Sequence, residues 1–391
     1  MPIANETDLA RLLADESITV ISVDTNIFDE KGLQLNSAVL QAIAGLKDGR
    51  FAFILSGTVA RELIRHLEAK TQEALRSARK AIGSALSAFE TEQPTREDLL
   101  AQISRGRTAN EAADERLKAY IAATECEVLD DAALVETSTI YAAYFEAKPP
   151  FGTGLKKCEF PDALALNALE RAAVNRQTGI IVVSKDKDWH AFCELSHRLY
   201  LLPEIERAIA LINNAPVVVK KVAQTWLSKE NEGREEVRAR LQNEVERIEF
   251  SCDGFASSGE MEAIPWAGEL VDINWPSEDE IDVISITAVD DEGTQNIILS
   301  LPLQIAAFVP VELNFSFWDS VDRESIGMGG RTIDVNALLD VRVTLTIDVN
   351  DLGSEDERVE LVDLELDPLS HEIDLGMVDV FEPEDEELED H

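Results

Sequence analysis

Along the first two hundred residues, short runs of aliphatic and β-branched residues alternate with stretches whose apolar positions recur at helical spacing. ITVISV (18–23), FAFILS (51–56), CEVL (126–129), IIVVS (180–184) and RLYLL (198–202) are predicted strands. Each is apolar throughout rather than alternating, as expected of a strand covered by helices on both faces. The alternation of the two patterns predicts an α/β domain, over 1–205, around a largely parallel central sheet. Its longest helical stretch, 58–122, is broken near Glu92–Glu97 by TEQPTRE and reads as an insertion or an extended helical arm. Residues 206–250 read as a helical linker.

After residue 251 the period shortens to two. DVISITAV, IILSLPLQI, VPVELNFSFW, LLDVRVTLTIDV and VELVDLELDPL alternate apolar and polar positions. With Gly and Asp turns between them, such runs predict a mostly β domain over 251–380, an antiparallel sandwich or barrel. The closing stretch 381–391, FEPEDEELEDH, is so rich in carboxylates that it is expected to be disordered.

Charge sharpens this division. The 391 residues carry a net charge of −41. Residues 251–391 hold 37 acids against Arg323, Arg331, Arg342 and Arg358, with no lysine, a net of −33. The first 250 residues are left with about −8, so a surface for nucleic acid is expected there, since a strongly negative module repels phosphate. The acidic domain is expected either to restrain the first domain or to dock a basic partner, beside a plain solubility role.

No apolar run approaches the ~20 residues needed to span a bilayer. The start, MPIANETDLARLL, lacks the basic and apolar segments of a secretory signal, so a cytoplasmic protein without a membrane span is expected. Cys126, Cys158, Cys193 and Cys252 show no paired spacing and read as reduced, mostly buried thiols. The oligomeric state stays open.

Four acids fall where the carboxyl edge of a parallel sheet builds its sites. Asp24 leaves the first strand in ISVDTNIF. Glu62 lies one turn into the helix after the second, in TVARELIRH. Asp162 opens a helix in KKCEFPDALALNAL, and Asp186 leaves a strand in VVSKDKDW. Carboxylates gathered this closely repel one another and hold protons unless a cation neutralises them, and magnesium or manganese accepts such oxygen ligands.

A strand ending in D-T-N, a helical Glu, a P-D-A helix start and an S-K-D-x-D-aromatic segment together resemble the PIN-domain nucleases. The chain is most similar to a large bacterial PIN-like branch bearing P-P-F-G-x-G…E-F-P-D-A, here Pro149, Pro150, Phe151, Gly152 and Gly154, then Glu159 to Ala163. The likeness covers 18–202. It implies a PIN-like three-layer domain in which Asp24, Glu62, Asp162 and Asp186 bind Mg2+ or Mn2+, supported by Asn26 and Ser184. Asp188 competes with Asp186 for the fourth ligand position, and Trp189 replaces the usual Phe. The resemblance further implies an endoribonuclease leaving 5′-phosphate and 3′-hydroxyl ends, in a bacterial toxin or defence setting. A structure-selective DNA nuclease and a non-catalytic RNA-binding or interaction protein are the alternatives.

Each residue also has a plainer reading. Asp24 and Asp162 suit helix starts, Glu62 can be solvated beside Arg65, and Asp186 and Asp188 are ordinary turn residues. Lys156 and Lys157 in KPPFGTGLKK suit either substrate phosphates or a surface loop. Arg65, Arg76, Arg79 and Lys80 line the helical arm, but Glu68 and Glu73 interrupt them, so a solvated mixed-charge face is expected. His66 reads as a helix-surface residue, and Trp189, Phe192 and Tyr200 as core.

Overall fold

The computed structural model describes residues 6–90, 94–152, 159–228, 233–287, 293–319, 324–352 and 357–380. The expected contributions of Lys156, Lys157 and the acidic tail 381–391 lie outside the described residues, as does Cys158. The chain divides into two compact units, 1–215 and 216–391. The helices expected to form a linker over 206–250 thus divide between the two. Among the described residues, no helix is long and apolar enough to cross a membrane.

The first unit opens with α1 (Glu6–Ala14), β1 (Ile18–Val23), α2 (Thr25–Glu30) and α3 (Ala38–Gln41), with a 3-10 turn before β2 (Ala52–Leu55). Then come α4 (Gly57–Ala88), α5 (Arg96–Ser104), α6 (Ala109–Ala123), β3 (Glu127–Val128), α7 (Asp131–Leu134) and α8 (Thr137–Phe145). It closes with α9 (Phe160–Arg176), β4 (Gly179–Val183), α10 (Lys187–Leu195), β5 (Leu199–Leu202) and α11 (Ile205–Asn213). All five strands lie in one parallel sheet, ordered β3-β2-β1-β4-β5. Every residue of β4 is buried, which explains its unbroken apolar run. The chain winds outward from β1 through β2 to β3 and returns to lay β4 on the other flank of β1. The switch point of the sheet therefore falls between β1 and β4, and the crevice at the carboxyl ends of these strands is where such folds bind ligands.

Two helices matter most for that crevice. On α9, Ala163, Ala165, Ala168, Ala172 and Ala173 are buried, and small side chains let its backbone approach the sheet closely. On α4, Gly57, Val59, Ala60, Leu63 and Leu67 are buried, and nothing further along it is. The remaining turns form the expected arm, packed beside α5 and α6. A side chain at Gly57 would bring its Cβ within 2.6 Å of the Leu129 carbonyl oxygen, so α4 can start at this place only with glycine.

The second unit begins with α12 (Val217–Trp226) and α13 (Gly233–Val245). Eight strands follow: β6 (Glu249–Ala256), β7 (Glu260–Pro265), β8 (Glu269–Asn274), β9 (Asp282–Ile286), β10 (Thr294–Asp319), β11 (Glu324–Asn350), β12 (Arg358–Asp367) and β13 (Ser370–Val378). They form a six-stranded antiparallel sheet, with β7, β8 and β9 sharing one edge of β10, and a separate parallel pair of β6 and β13. One expectation is corrected. IILSLPLQI and VPVELNFSFW are a single strand, β10, paired along its whole length with β11. The AAF between them supplies no turn residue, and Pro302 and Pro310 each remove one donor without ending the strand. Alternation holds throughout: Ile297, Leu299, Leu301 and Leu303 are buried, and so are Val309, Val311 and Leu313.

Candidate active site

Asp24 follows the last residue of β1 and caps α2, accepting a hydrogen bond from the Thr25 amide at 2.7 Å. Its second oxygen accepts one from Ser184 Oγ at 2.7 Å. Ser184 is the residue after β4, next to β1 in register, so the two strand ends deliver this pair together. The same Ser184 oxygen accepts from Asn26 Nδ2 at 3.1 Å and from the Asp186 amide at 3.0 Å. Ser184 thus joins Asp24, Asn26 and Asp186 at the switch point.

Asp186 caps α10, accepting from the amides of Asp188 at 2.6 Å and Trp189 at 3.3 Å. Trp189, fully buried, turns its indole Nε1 to Asp162 and donates at 2.8 Å. It is therefore more than the core residue the sequence suggested, since phenylalanine offers no such donor. Glu62 accepts from Thr25 Oγ1 at 3.0 Å. That bond ties it to the residue following Asp24.

Two buried carboxylates hold these elements in place and carry no motif. Asp131 accepts from Ser56 Oγ at 2.8 Å, the Gly57 amide at 3.0 Å, the Thr58 amide at 2.7 Å and Thr58 Oγ1 at 2.8 Å. It fixes the start of α4 and so the position of Glu62. Glu206 on α11 forms a fully buried ion pair with Lys31, which ends α2. Nothing in their spacing marks either residue, because each acts across a long sequence separation.

Burial, followed by the negative charges of Asp162 and Asp186, outweighs the hydrogen bonds from Ser184 and Thr25 and pushes the Asp24 carboxyl up to about 7. Glu159, just before α9, is raised as well. Burial contributes most, then a carboxyl contact with Asp162, then the charges of Asp162, Asp188 and Asp186. The structure therefore brings Asp24, Asp162 and Asp186 into one electrostatic cluster and adds Glu159. The sequence signal for Glu159 was its place in E-F-P-D-A, two residues from the helix-opening proline. The charge of Asp188 bears on Glu159. Glu62 joins through Thr25.

This donor set fits a hard divalent cation. It consists of carboxylate oxygens, carries an excess of negative charge, and includes the Asn26 amide oxygen, buried without a hydrogen-bond partner. Among the described residues, however, no three such side chains stand close enough together to grip one ion as placed. The reason is visible in their partners: Asp162 turns to Trp189, Asp186 to α10 and Glu62 to Thr25.

Residues 21–189 match the family model of the PIN domain, and this stretch of the chain is a PIN domain. PIN domains are generally metal-dependent nucleases. No curated protein and no solved structure matches the chain.

Proposed function

We propose that the first unit is a divalent-metal-dependent endoribonuclease. The observation that carries this reading is the clustering of Asp24, Asp162 and Asp186 at the switch point, with Asp24 buried yet pressed by the charge of the other two. Asp24, Asp162 and Asp186 would hold Mg2+ or Mn2+, with Glu62 as fourth carboxylate and Asp188 as the weaker claimant. A bound ion would supply an activated water for in-line attack on phosphorus and charge stabilisation for the leaving oxygen.

The chain's own residues do the rest. Ser184 and the Thr25 amide fix both oxygens of Asp24, and the Trp189 indole sets the direction of Asp162. Asp24 holds a proton near neutrality for the same reason that a cation is attracted there, an excess of buried negative charge. The water oxygen would bond to phosphorus as the P–O3′ bond breaks, with one water proton released and one taken up by O3′, leaving a 5′-phosphate and a 3′-hydroxyl. RNA is inferred from the likeness in sequence. The test offers the full chain single-stranded RNA and flap DNA, with EDTA, Mg2+ or Mn2+, and Asp24→Asn as control. Metal-dependent RNA cleavage lost in the control supports the reading. Cleavage of flap DNA alone, or none with any metal, overturns it.

A further inference from the structure

On the helical arm, Arg76, Arg79 and Lys80 of α4 share a groove with Gly83, Ser84 and, from the start of α5, Arg96. The spacing from Arg76 through Arg79 and Lys80 to Gly83 is that of one helix face. All four cations are exposed, no carboxylate lines the groove, and none of the four forms an ion pair among the described residues. Glu68 and Glu73, which suggested a solvated mixed face, do not line it, and Arg96 arrives from a segment that helical periodicity does not connect to α4.

The Arg96 guanidinium lies over Gly83. A Cβ on Gly83 would lie 2.5 Å from Arg96 Nη2, so the guanidinium occupies the space that any larger residue would fill. Glycine within a helix is destabilising relative to alanine, and four cations gathered with no counter-charge in the groove among the described residues repel one another. Local stability therefore does not explain the cluster, whereas a polyanion in the groove does.

We propose that this groove binds the phosphate backbone of a single-stranded nucleic acid at a distance from the carboxylates, an assignment that rests on the nuclease reading for the identity of the polyanion. Arginine suits phosphate because its planar fork donates to two oxygens at once. Arg79 stands roughly 26 Å along α4 from Glu62 at 1.5 Å of rise per residue. At ~3.4 Å per stacked nucleotide, a strand must extend about eight nucleotides from the cleavage site to reach it. The groove would act as an anchor for long substrates only.

The experiment measures anisotropy of labelled single-stranded RNAs of about 30 and about four nucleotides, lengths on either side of that reach. The full chain carrying Asp24→Asn is used in EDTA, so neither metal nor cleavage enters. Arg79→Ala with Arg96→Ala is expected to weaken long-RNA binding at least about tenfold at low salt. It should also flatten the slope of log Kd against log salt by about 1.4, roughly 0.7 per lost phosphate contact. Short RNA should be indifferent. Gly83→Ala must displace Arg96 while favouring the helix, so it should raise Tm and still weaken long-RNA binding severalfold. Unchanged long-RNA affinity and slope in these variants overturn the proposal. Tighter binding also overturns it, since that would mean an acidic stretch of this chain occupies the groove. A chain that binds through the groove yet cleaves nothing with any metal refutes the nuclease reading and leaves the anchor standing.

Discussion

Both units are acidic, but they handle their carboxylates in opposite ways. In the PIN domain a few acids are drawn to one sheet edge, and Asp24 is buried among them. In the second unit the 37 acids of residues 251–391 include many at the outward positions of long strands. Asp334 and Asp340 of β11 and Glu360 and Asp363 of β12 are all exposed, with Leu339, Val343 and Leu361 turned inward between them. Water screens the second kind, and burial preserves the repulsion of the first. A chemically poised carboxylate is thus distinguished by the desolvation that keeps its neighbours' charges unscreened, and not by the number of acids around it.

The most direct way to break this comparison is to remove one acid from each side. Asp24→Asn is expected to lower metal-dependent cleavage at least about a thousandfold, on the order of 4 kcal/mol of barrier. Asp340→Asn should leave the rate within about twofold, since an exposed strand acid touches no reacting group. Single-turnover rates under saturating metal separate the two. Equal losses would mean that the cluster is not the site.

Much of the PIN domain was legible in the sequence. Runs such as ITVISV and IIVVS are unbroken because helices cover both faces, and their ends were read within a residue or so. The places of Asp24, Glu62, Asp162 and Asp186 in the fold were legible because each sits near a strand end or a helix start. What was hidden acts through space: Asp131 braces α4 from 74 residues away, at Gly57, and the indole of Trp189 reaches Asp162 where an aromatic position read simply as core. In the second unit, alternation showed which side chains point inward. It did not show that β10 runs unbroken, because proline is tolerated within a strand when the one lost donor is not needed.

The next test uses pH in the absence of metal. The folded Asp24 carboxyl, at about 7, binds its proton more tightly than the unfolded one, at 3.8. Between these values the native state holds more protons than the unfolded state, so stability falls as pH rises through this window. The loss is at most about 4 kcal/mol, since each tenfold difference in proton affinity is worth ~1.4 kcal/mol. It should appear as the difference between the unmodified chain and Asp24→Asn in urea with EDTA, which cancels contributions shared by both chains. A difference independent of pH would show that Asp24 ionises freely in the fold.

Activity also discriminates between neighbours in the same motif. Asp186 acts on Asp24 and caps α10, whereas the charge of Asp188 bears on Glu159. Asp186→Asn should therefore lose about tenfold more activity than Asp188→Asn. The reverse ranking would place Asp188 at the metal. A smaller effect follows from Trp189→Phe, which keeps an aromatic ring in the core but leaves Asp162 without its donor. A loss of less than about tenfold, chiefly in apparent metal affinity, is expected from titrating Mn2+ against rate.

The smallest effect sharpens the comparison most, because it asks whether the two kinds of acid differ in more than number. Neutralising an exposed strand acid such as Asp334 should change stability by less than about 0.5 kcal/mol. The sign should be stabilising, since any one charge in this unit sits in the field of many like charges. That field is screened over ~10 Å at 0.1 M salt and only ~3 Å at 1 M, so the gain from Asp334→Asn should vanish as salt is raised. Asp24 is shielded from such ions by its burial beside Ser184 and Thr25. The metal-free gain from Asp24→Asn should therefore persist at high salt. Urea midpoints for both variants at the two salt concentrations decide it. If the Asp24 effect faded with salt as the Asp334 effect does, the cluster would be an exposed patch like the rest, and burial would not be what separates the two units.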